Sequence, residues 1–211
     1  MSVTYVHSTP DAEALIVEMA RVSNPSNAKN SATAPRLLRY LVDHSHWSPF
    51  EMASLCVRIE TERDIATQIL RHRSFSFQEF STRYASVAAP TPPALRRQGA
   101  TNRQSSTDDL PEDVAKYFRS AVSSSLHNIH LLYEEMLAAG VARETARRVL
   151  PLCSPTTLYM HGTVRSWLHY LALRTAPDTQ LEHRNIALQC RDIFATHFPI
   201  TAAACGGSHW S

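Results

Sequence analysis

The sequence predicts an α+β fold, a single domain over residues 1–211 with an antiparallel sheet packed against several helices. Three observations predict it. Residues 52–60 alternate cleanly, with Ala53, Leu55, Val57 and Ile59 on one face and Ser54, Cys56, Arg58 and Glu60 on the other, the mark of a half-buried antiparallel strand. A stripe of Val114, Phe118, Val122, Leu126, Ile129, Tyr133 and Met136 recurs at helical spacing, which predicts one long helix at about 111–139. The chain has only five glycines and neither a Gly-x-Gly-x-x-Gly nor a phosphate-loop motif, so a doubly wound nucleotide fold is not expected.

The remaining elements follow in order. Residues 2–7 alternate and are β-branched, so they read as a strand. Thr9-Pro10 reads as an N-cap followed by proline at the first helical position, opening a helix through Leu15, Ile16, Met19 and Val22. Asn24-Pro25-Ser26-Asn27 closes it, and a second helix covers 34–44, with Leu37, Leu38, Tyr40, Leu41 and Val42 on a broad apolar face. His44 to Glu51 is a loop. Thr61 and Asp64 form a variant capping box for the next helix, on which Gln68 and Arg71, three apart, share a face.

Residues 75–84 are strand-like, and 88–109, rich in proline and small polar residues, reads as a loop suited to a lid. Pro111-Glu112-Asp113 opens the long helix with acidic residues that suit its dipole, and Gly140 ends it. A short basic helix then runs from Arg143 to Pro151. Thr156–Thr163 reads as a strand, Val164–Leu173 as a helix with Trp167, Leu168 and Leu171 inward, and 181–197 as a last helix. The tail from Ala202 to Ser211 is expected to fray.

Composition narrows the function. With 211 residues and 44% hydrophobic content, one sizeable core is possible and two are not expected. No apolar run reaches eighteen residues, so no membrane span is predicted. The N-terminal segment lacks the basic and apolar regions of a signal peptide. Cys56, Cys153, Cys190 and Cys205 lie far apart without a Cys-x-x-Cys, which excludes a zinc ribbon and predicts a reduced, cytoplasmic protein with no metal site. Net charge is only +2, which argues against bulk nucleic-acid binding. Lys29 and Lys116 are the only lysines, every other basic residue being arginine. Base composition could produce that bias, as could a need to grip anions at fixed geometry.

The stretch from Arg71 to Tyr84 is the richest in chemistry. Arg71, Arg73 and Arg83 offer planar bidentate contacts to phosphate, and Ser74, Ser76 and Ser81 can complete a cradle. Glu79 repels phosphate, so it reads as an arginine's partner or an acceptor for N–H groups on a base or sugar. Taken alone, the stretch is also compatible with a basic surface loop, or with a nucleic-acid-binding module over residues 71–84 whose phenylalanines stack on bases. Cys153, near arginines, is a candidate thiol nucleophile, although a buried, inert cysteine is the commoner case. His44 and His46, two apart, could ligate a metal but have no carboxylate or cysteine cluster beside them.

The full order of residues, Arg71-His72-Arg73, seven residues, then Ser81, with Glu79 two before it and Arg83-Tyr84 two after, resembles the signature of the flavin-dependent thymidylate synthases. Gln78 stands where that family often has asparagine. Ala146-Arg147-x-Val149-Leu150-Pro151 and Arg165-Ser166 with Leu173-Arg174 resemble two further blocks of the family in the same order. His46-x-Ser48-Pro49-Phe50-Glu51 is similar to an element that borders its flavin. The resemblance runs from about residue 44 to 198.

The resemblance implies an enzyme that methylates dUMP to dTMP without a cysteine nucleophile. Its cofactor would be FAD, with NADPH and 5,10-methylenetetrahydrofolate as co-substrates. Carried over by position, Gln68, Arg71, Glu79, Phe80, Ser81, Thr82, Arg83, Arg147 and Arg174 become dUMP-binding residues, Arg174 the catalytic one. Ser48, Arg71, His72, Arg73, Glu79, Thr163, Val164, Arg165 and His169 become FAD contacts; asparagine is common in the family where Thr163 and His169 stand. His46 becomes a neighbour of flavin or folate. The resemblance also implies a homotetramer with shared sites, Arg147 reaching a neighbouring chain; the low net charge and the lack of a long apolar run predict no nucleic-acid or membrane partner.

Overall fold

The computed structural model describes residues 1–27 and 30–206. Its strands are β1 (Ser2–Ser8), β2 (Ser54–Glu62), β3 (Ser76–Glu79), β4 (Arg97–Gln98), β5 (Ser106–Thr107) and β6 (Pro155–Thr163). Its helices are α1 (Ala12–Ala20), α2 (Ala34–Asp43), α3 (Arg63–Ile69), α4 (Glu112–Ala138), α5 (Arg143–Ala146), α6 (Val164–Arg174), α7 (Leu181–His197) and α8 (Pro199–Cys205). The fold is α+β, and the chain packs as two compact units. One takes Met1–Ile59, Leu70–Gln78 and the chain from Tyr159 onward, the other Glu60–Ile69 and Glu79–Leu158.

The main sheet has the order β1-β2-β6-β3 and is antiparallel. Bonds at the strand ends agree with that sense: Thr9 N–H donates to the Ser54 carbonyl, Val164 N–H to Ala53, and Phe80 N–H to Thr157. Leu55, Val57 and Ile59 are fully buried, as their alternation predicts. Cys56, expected on the outer face, is buried too. On β6 the buried positions are Thr156, Leu158, Met160 and Gly162, again every second residue.

In the first unit α7 packs on β1, α6 and α8, and α8 packs on α2. Trp167 fills the core and donates its indole N–H to the Leu55 carbonyl at 3.0 Å, so its one polar atom is satisfied. The expected fraying of the tail does not hold for Ala202–Cys205. These residues are helical, and Ala202, Ala204 and Cys205 are buried. Glu13 explains it, because its carboxylate accepts the N–H groups of Ile200 and Thr201, at 3.3 and 2.6 Å, and so anchors an otherwise uncapped helix start. Residues 207–211 lie outside the described residues.

Two predicted caps are also corrected. Helix α1 begins at Ala12 after Asp11, which sits in the left-handed region at φ 48°. Thr9 is spent on β2 instead, its Oγ1 accepting the Ser54 N–H at 3.0 Å. Thr61 belongs to β2 and is buried, so α3 starts at Arg63 without the expected box. In both places pairing within the sheet prevails over a local capping signal.

In the second unit α4 is the long helix predicted, and Gly140, at φ 83°, takes the left-handed turn that ends it. Only Ala115, Leu126 and Tyr133 of α4 are buried. Phe118, on the predicted stripe, is 49% exposed. Tyr133 centres a cluster with Val87 and Ala146, flanked by Phe80, Met136 and Val149. The 88–109 stretch, read as loop, contains a two-stranded ribbon in which Arg97 faces Thr107 and Gln98 faces Ser106.

Candidate active site

Helix α6 carries predicted site residues at both ends. Thr163 caps it, its Oγ1 accepting the Ser166 N–H at 3.2 Å, and the same hydroxyl donates to Glu51 Oε2 at 2.9 Å. Arg165 donates to Glu51 Oε1 at 2.5 Å. Glu51, which closes the 3-10 turn Ser48–Glu51, therefore holds two expected cofactor residues at once. Arg165's hydrogen bond keeps its carboxyl below the ordinary range. Glu51 belongs to the Ser48-Pro49-Phe50-Glu51 element, for which the resemblance implies a cofactor contact at Ser48 alone. Ser48 is exposed at the start of that turn.

His169 lies one helical turn after Arg165 and meets Trp47 edge to face, ring centroids 5.0 Å apart. Burial and then the Arg165 charge push its pKa down, against the opposing pull of Glu51. Val164 is fully buried, and its N–H is spent on the Ala53 carbonyl at 2.8 Å. Its side chain is core.

The arginine-rich stretch leaves α3 at Ile69, turns, and enters β3. Gln68 and Arg71 therefore do not share a helix face as expected: Arg71 lies beyond the helix end. Strand structure is likewise confined to Ser76–Glu79, shorter than the 75–84 expected. Arg71 and Arg73 are exposed. Phe75 turns inward against Trp167 and Tyr170, with centroids 5.0 and 5.8 Å away. It is seated by Gly162, where an added Cβ would come within 2.4 Å of the Phe75 ring. Ser166 Oγ pins the turn by donating to the Ser74 carbonyl at 3.1 Å.

His72, in the same turn, meets the last residue of α6. Arg174 Nε donates to His72 Nε2 at 2.9 Å. Burial and then the Arg174 charge lower the pKa of His72 to about 4. An imidazole nitrogen that accepts an N–H carries no proton, so His72 is neutral here with its proton on Nδ1. The contact uses Arg174's inner nitrogen, and the outer pair of the planar fork takes no part in it.

The second unit holds the other dUMP candidates. Glu79, at the end of β3, accepts from Thr156 Oγ1 at 3.0 Å and lies 3.7 Å from Arg63. That fits its reading as an arginine's partner, although Arg63 and Thr156 were not singled out. Phe80 packs under Tyr133's cluster. Thr82 is buried and accepts from Arg147 at 3.2 Å within this chain. Arg83 is exposed, 3.5 Å from Glu144. Ser81 and Gln68 are half-buried.

The rival readings gain little. Burial, then Glu62 and Asp64, push the Cys153 thiol up, the wrong direction for a nucleophile. Phe75 is buried and cannot serve as a stacking platform for bases. His44 and His46 are exposed, and among the described residues no three His, Cys, Asp or Glu side chains gather as metal ligands. No described helix is long and apolar enough to cross a membrane.

Comparison with known proteins adds to the geometry. The family model described as "Thymidylate synthase complementing protein" matches residues 4–200. The chain is 48% identical over 200 residues to the probable flavin-dependent thymidylate synthase of Paramecium bursaria Chlorella virus 1, covering 94% of this chain and 93% of that one. It is 50% identical over 192 residues to the flavin-dependent thymidylate synthase of Synechocystis sp., covering 91% and 88%. Among solved structures it resembles the UMP/dUMP methylase PolB from Streptomyces cacaoi bound with 5-Br dUMP. That match has a TM-score of 0.86 and 30% identity over 99% of this chain and 95% of the other.

Proposed function

The chain belongs to the flavin-dependent thymidylate synthase family, and from that premise we propose that it methylates dUMP to dTMP. FAD is the cofactor, and NADPH and 5,10-methylenetetrahydrofolate are the co-substrates. The observation that carries the reading is Arg174 held by a neutral histidine at 2.9 Å. Charge builds on the pyrimidine ring as C5 becomes nucleophilic, and a fixed guanidinium beside N3 and its flanking carbonyl stabilises it. Arg174 takes that role.

The donor set suits FAD. Arg71 and Arg73 are exposed cations on one turn, and Arg165 is oriented by Glu51, a combination suited to a diphosphate. His72, His169, Ser48 and Thr163 add neutral donors and acceptors, while Val164 contributes packing. Reduced FAD, when bound, supplies the hydride. For dUMP, Ser81, Arg83 and Arg147 hold the phosphate. Gln68, Arg71, Glu79, Phe80 and Thr82 line the nucleoside.

We read residues 1–211 as one catalytic domain, supported by the span of the family match. We read the assembly as a homotetramer with shared sites, Arg147 serving a neighbouring chain. Its support is α4, which leaves Tyr117, Phe118, Leu131 and Leu132 exposed. The protein is cytoplasmic in this reading, with no nucleic-acid or membrane partner. Light scattering should give four chains.

The decisive test is anaerobic incubation of the FAD-loaded protein with dUMP, methylenetetrahydrofolate and NADPH. Formation of dTMP is expected. A protein that stays colourless after soaking in FAD and forms no dTMP overturns the assignment.

A further inference from the structure

By resemblance His72 is a flavin contact. The geometry around it shows a second task. Its ring stands edge-on to Tyr170, with centroids 4.9 Å apart at 84°, and edge-on to His183, 6.2 Å away at 85°. Tyr170 and Arg174 are four apart on α6, so they share one helix face. His72 therefore meets that face twice, packing on Tyr170 and accepting from Arg174 Nε. Behind them Tyr170 and the fully buried His183 are hydrogen-bonded at 3.2 Å.

The charges in this cluster are arranged for one cation. His183 is held neutral, burial and then the Arg174 charge lowering its pKa to about 3. Burial also raises the Tyr170 hydroxyl well above its ordinary value. At neutral pH Arg174 is the charged member, with neutral groups facing it from the turn, from α6 and from α7. An unheld arginine side chain samples many rotamers, and that freedom opposes a fixed contact. A hydrogen bond at Nε fixes the guanidinium plane without using the outer nitrogens that a pyrimidine would meet.

We propose that His72 is a positioning residue for methyl transfer: its unprotonated Nε2 sets the plane of Arg174, and Tyr170 and His183 hold the imidazole in place. This rests on the reading of Arg174 as the group that meets the pyrimidine. The role is distinct from binding flavin, because it acts through Arg174 and predicts a loss in turnover that persists when FAD is saturating.

The test compares His72→Gln with His72→Asn in the FAD-loaded enzyme. A glutamine Oε1 can reach roughly the place of Nε2 and accept from Arg174, whereas the asparagine carbonyl falls short of it. We expect His72→Gln to keep kcat within about fivefold, and His72→Asn to lose roughly a hundredfold, the lower end of what one preorganised contact is worth. Because His72 is also a flavin contact, both variants are assayed at saturating FAD, and the readout is the split between them in the rate of flavin reoxidation with dUMP and methylenetetrahydrofolate. Equal losses in the two variants, or losses confined to FAD affinity, overturn the proposal. Nitrogen NMR of the parent enzyme tests it without a variant: Nε2 of His72 should be unprotonated at neutral pH, and a protonated Nε2 is incompatible. A parent enzyme that forms no dTMP refutes the proposed function instead, while the NMR result still reports on the pair.

Discussion

Arg174 and His72, 102 positions apart in the chain, are joined by a single N–H···N hydrogen bond of 2.9 Å. One partner is permanently charged, and the other accepts only while it is neutral. The bond therefore ties the arginine's orientation to the histidine's protonation state. Substitutions and pH can separate the two.

Arg174→Lys keeps a positive charge at the end of α6. As a helix-end charge alone it would be worth about 0.3–1 kcal/mol, and lysine would serve nearly as well. A lysine cannot contact His72 and present a planar fork to the pyrimidine together. We expect the variant to fold, bind FAD and accept electrons from NADPH. Flavin reoxidation with dUMP and methylenetetrahydrofolate should slow roughly a hundred- to a thousandfold, or about 2.7–4 kcal/mol. Anaerobic single-turnover absorbance measures it, and reoxidation at the parent rate would reduce Arg174 to a helix-end charge.

Cys153→Ala should leave dTMP formation within roughly tenfold, about 1.4 kcal/mol in the barrier. Burial and the carboxylates of Glu62 and Asp64 disfavour its thiolate. Steady-state turnover decides the matter: a drop of several orders of magnitude, with flavin still bound, would revive the thiol mechanism.

Gly162→Ala places a methyl group within 2.4 Å of the Phe75 ring. Phe75 is also packed on Trp167 and Tyr170, so it has little room to yield. Overpacking should cost about 1–3 kcal/mol in urea unfolding. Because Phe75 seats the turn bearing Arg71 and Arg73, FAD affinity should fall as well. Unchanged stability and affinity would mean that the turn is not seated this way.

Acid should destabilise the fold through its neutral histidines. His72 and His183 titrate at about 4 and about 3 in the native state, mainly through burial, and near 6.5 when unfolded. Between those values the unfolded chain binds more protons, so stability is complete above about pH 6.5 and falls as pH drops toward 4. Each histidine contributes at most about 1.4 kcal/mol per pH unit. Urea melts at pH 5 and 7 should show a shallower decline in His72→Gln than in the parent. Identical declines would mean that His72 is protonated in the native state.

Much of the fold is legible in the sequence. The alternation on β2, the stripe on α4 and the span of α6 are local repeats, and each marks its element because burial imposes its period on the chain. The Arg-His-Arg stretch and Arg174 stand out through the resemblance of their order to the family signature, and their roles belong to the proposed function. The cap at Thr9 misled because its hydroxyl serves the neighbouring strand instead, and the one at Thr61 because β2 continues through that residue to Glu62. The ordering of Ala202–Cys205 was hidden because it is decided by Glu13 from the far end of the chain.

By itself, then, the sequence determined the class of fold, the inventory of cationic and hydroxyl groups, and the family to which they belong. Only the tertiary structure decided how those groups are paired: Glu51 with Arg165 across 114 positions, and His72 with Arg174 across 102. The physical reason is one of range. Periodicity and capping act over a few residues, and a reader of the chain can see them. The direction of an arginine's fork and the proton count of a histidine depend on burial and on neighbours that packing brings from remote segments.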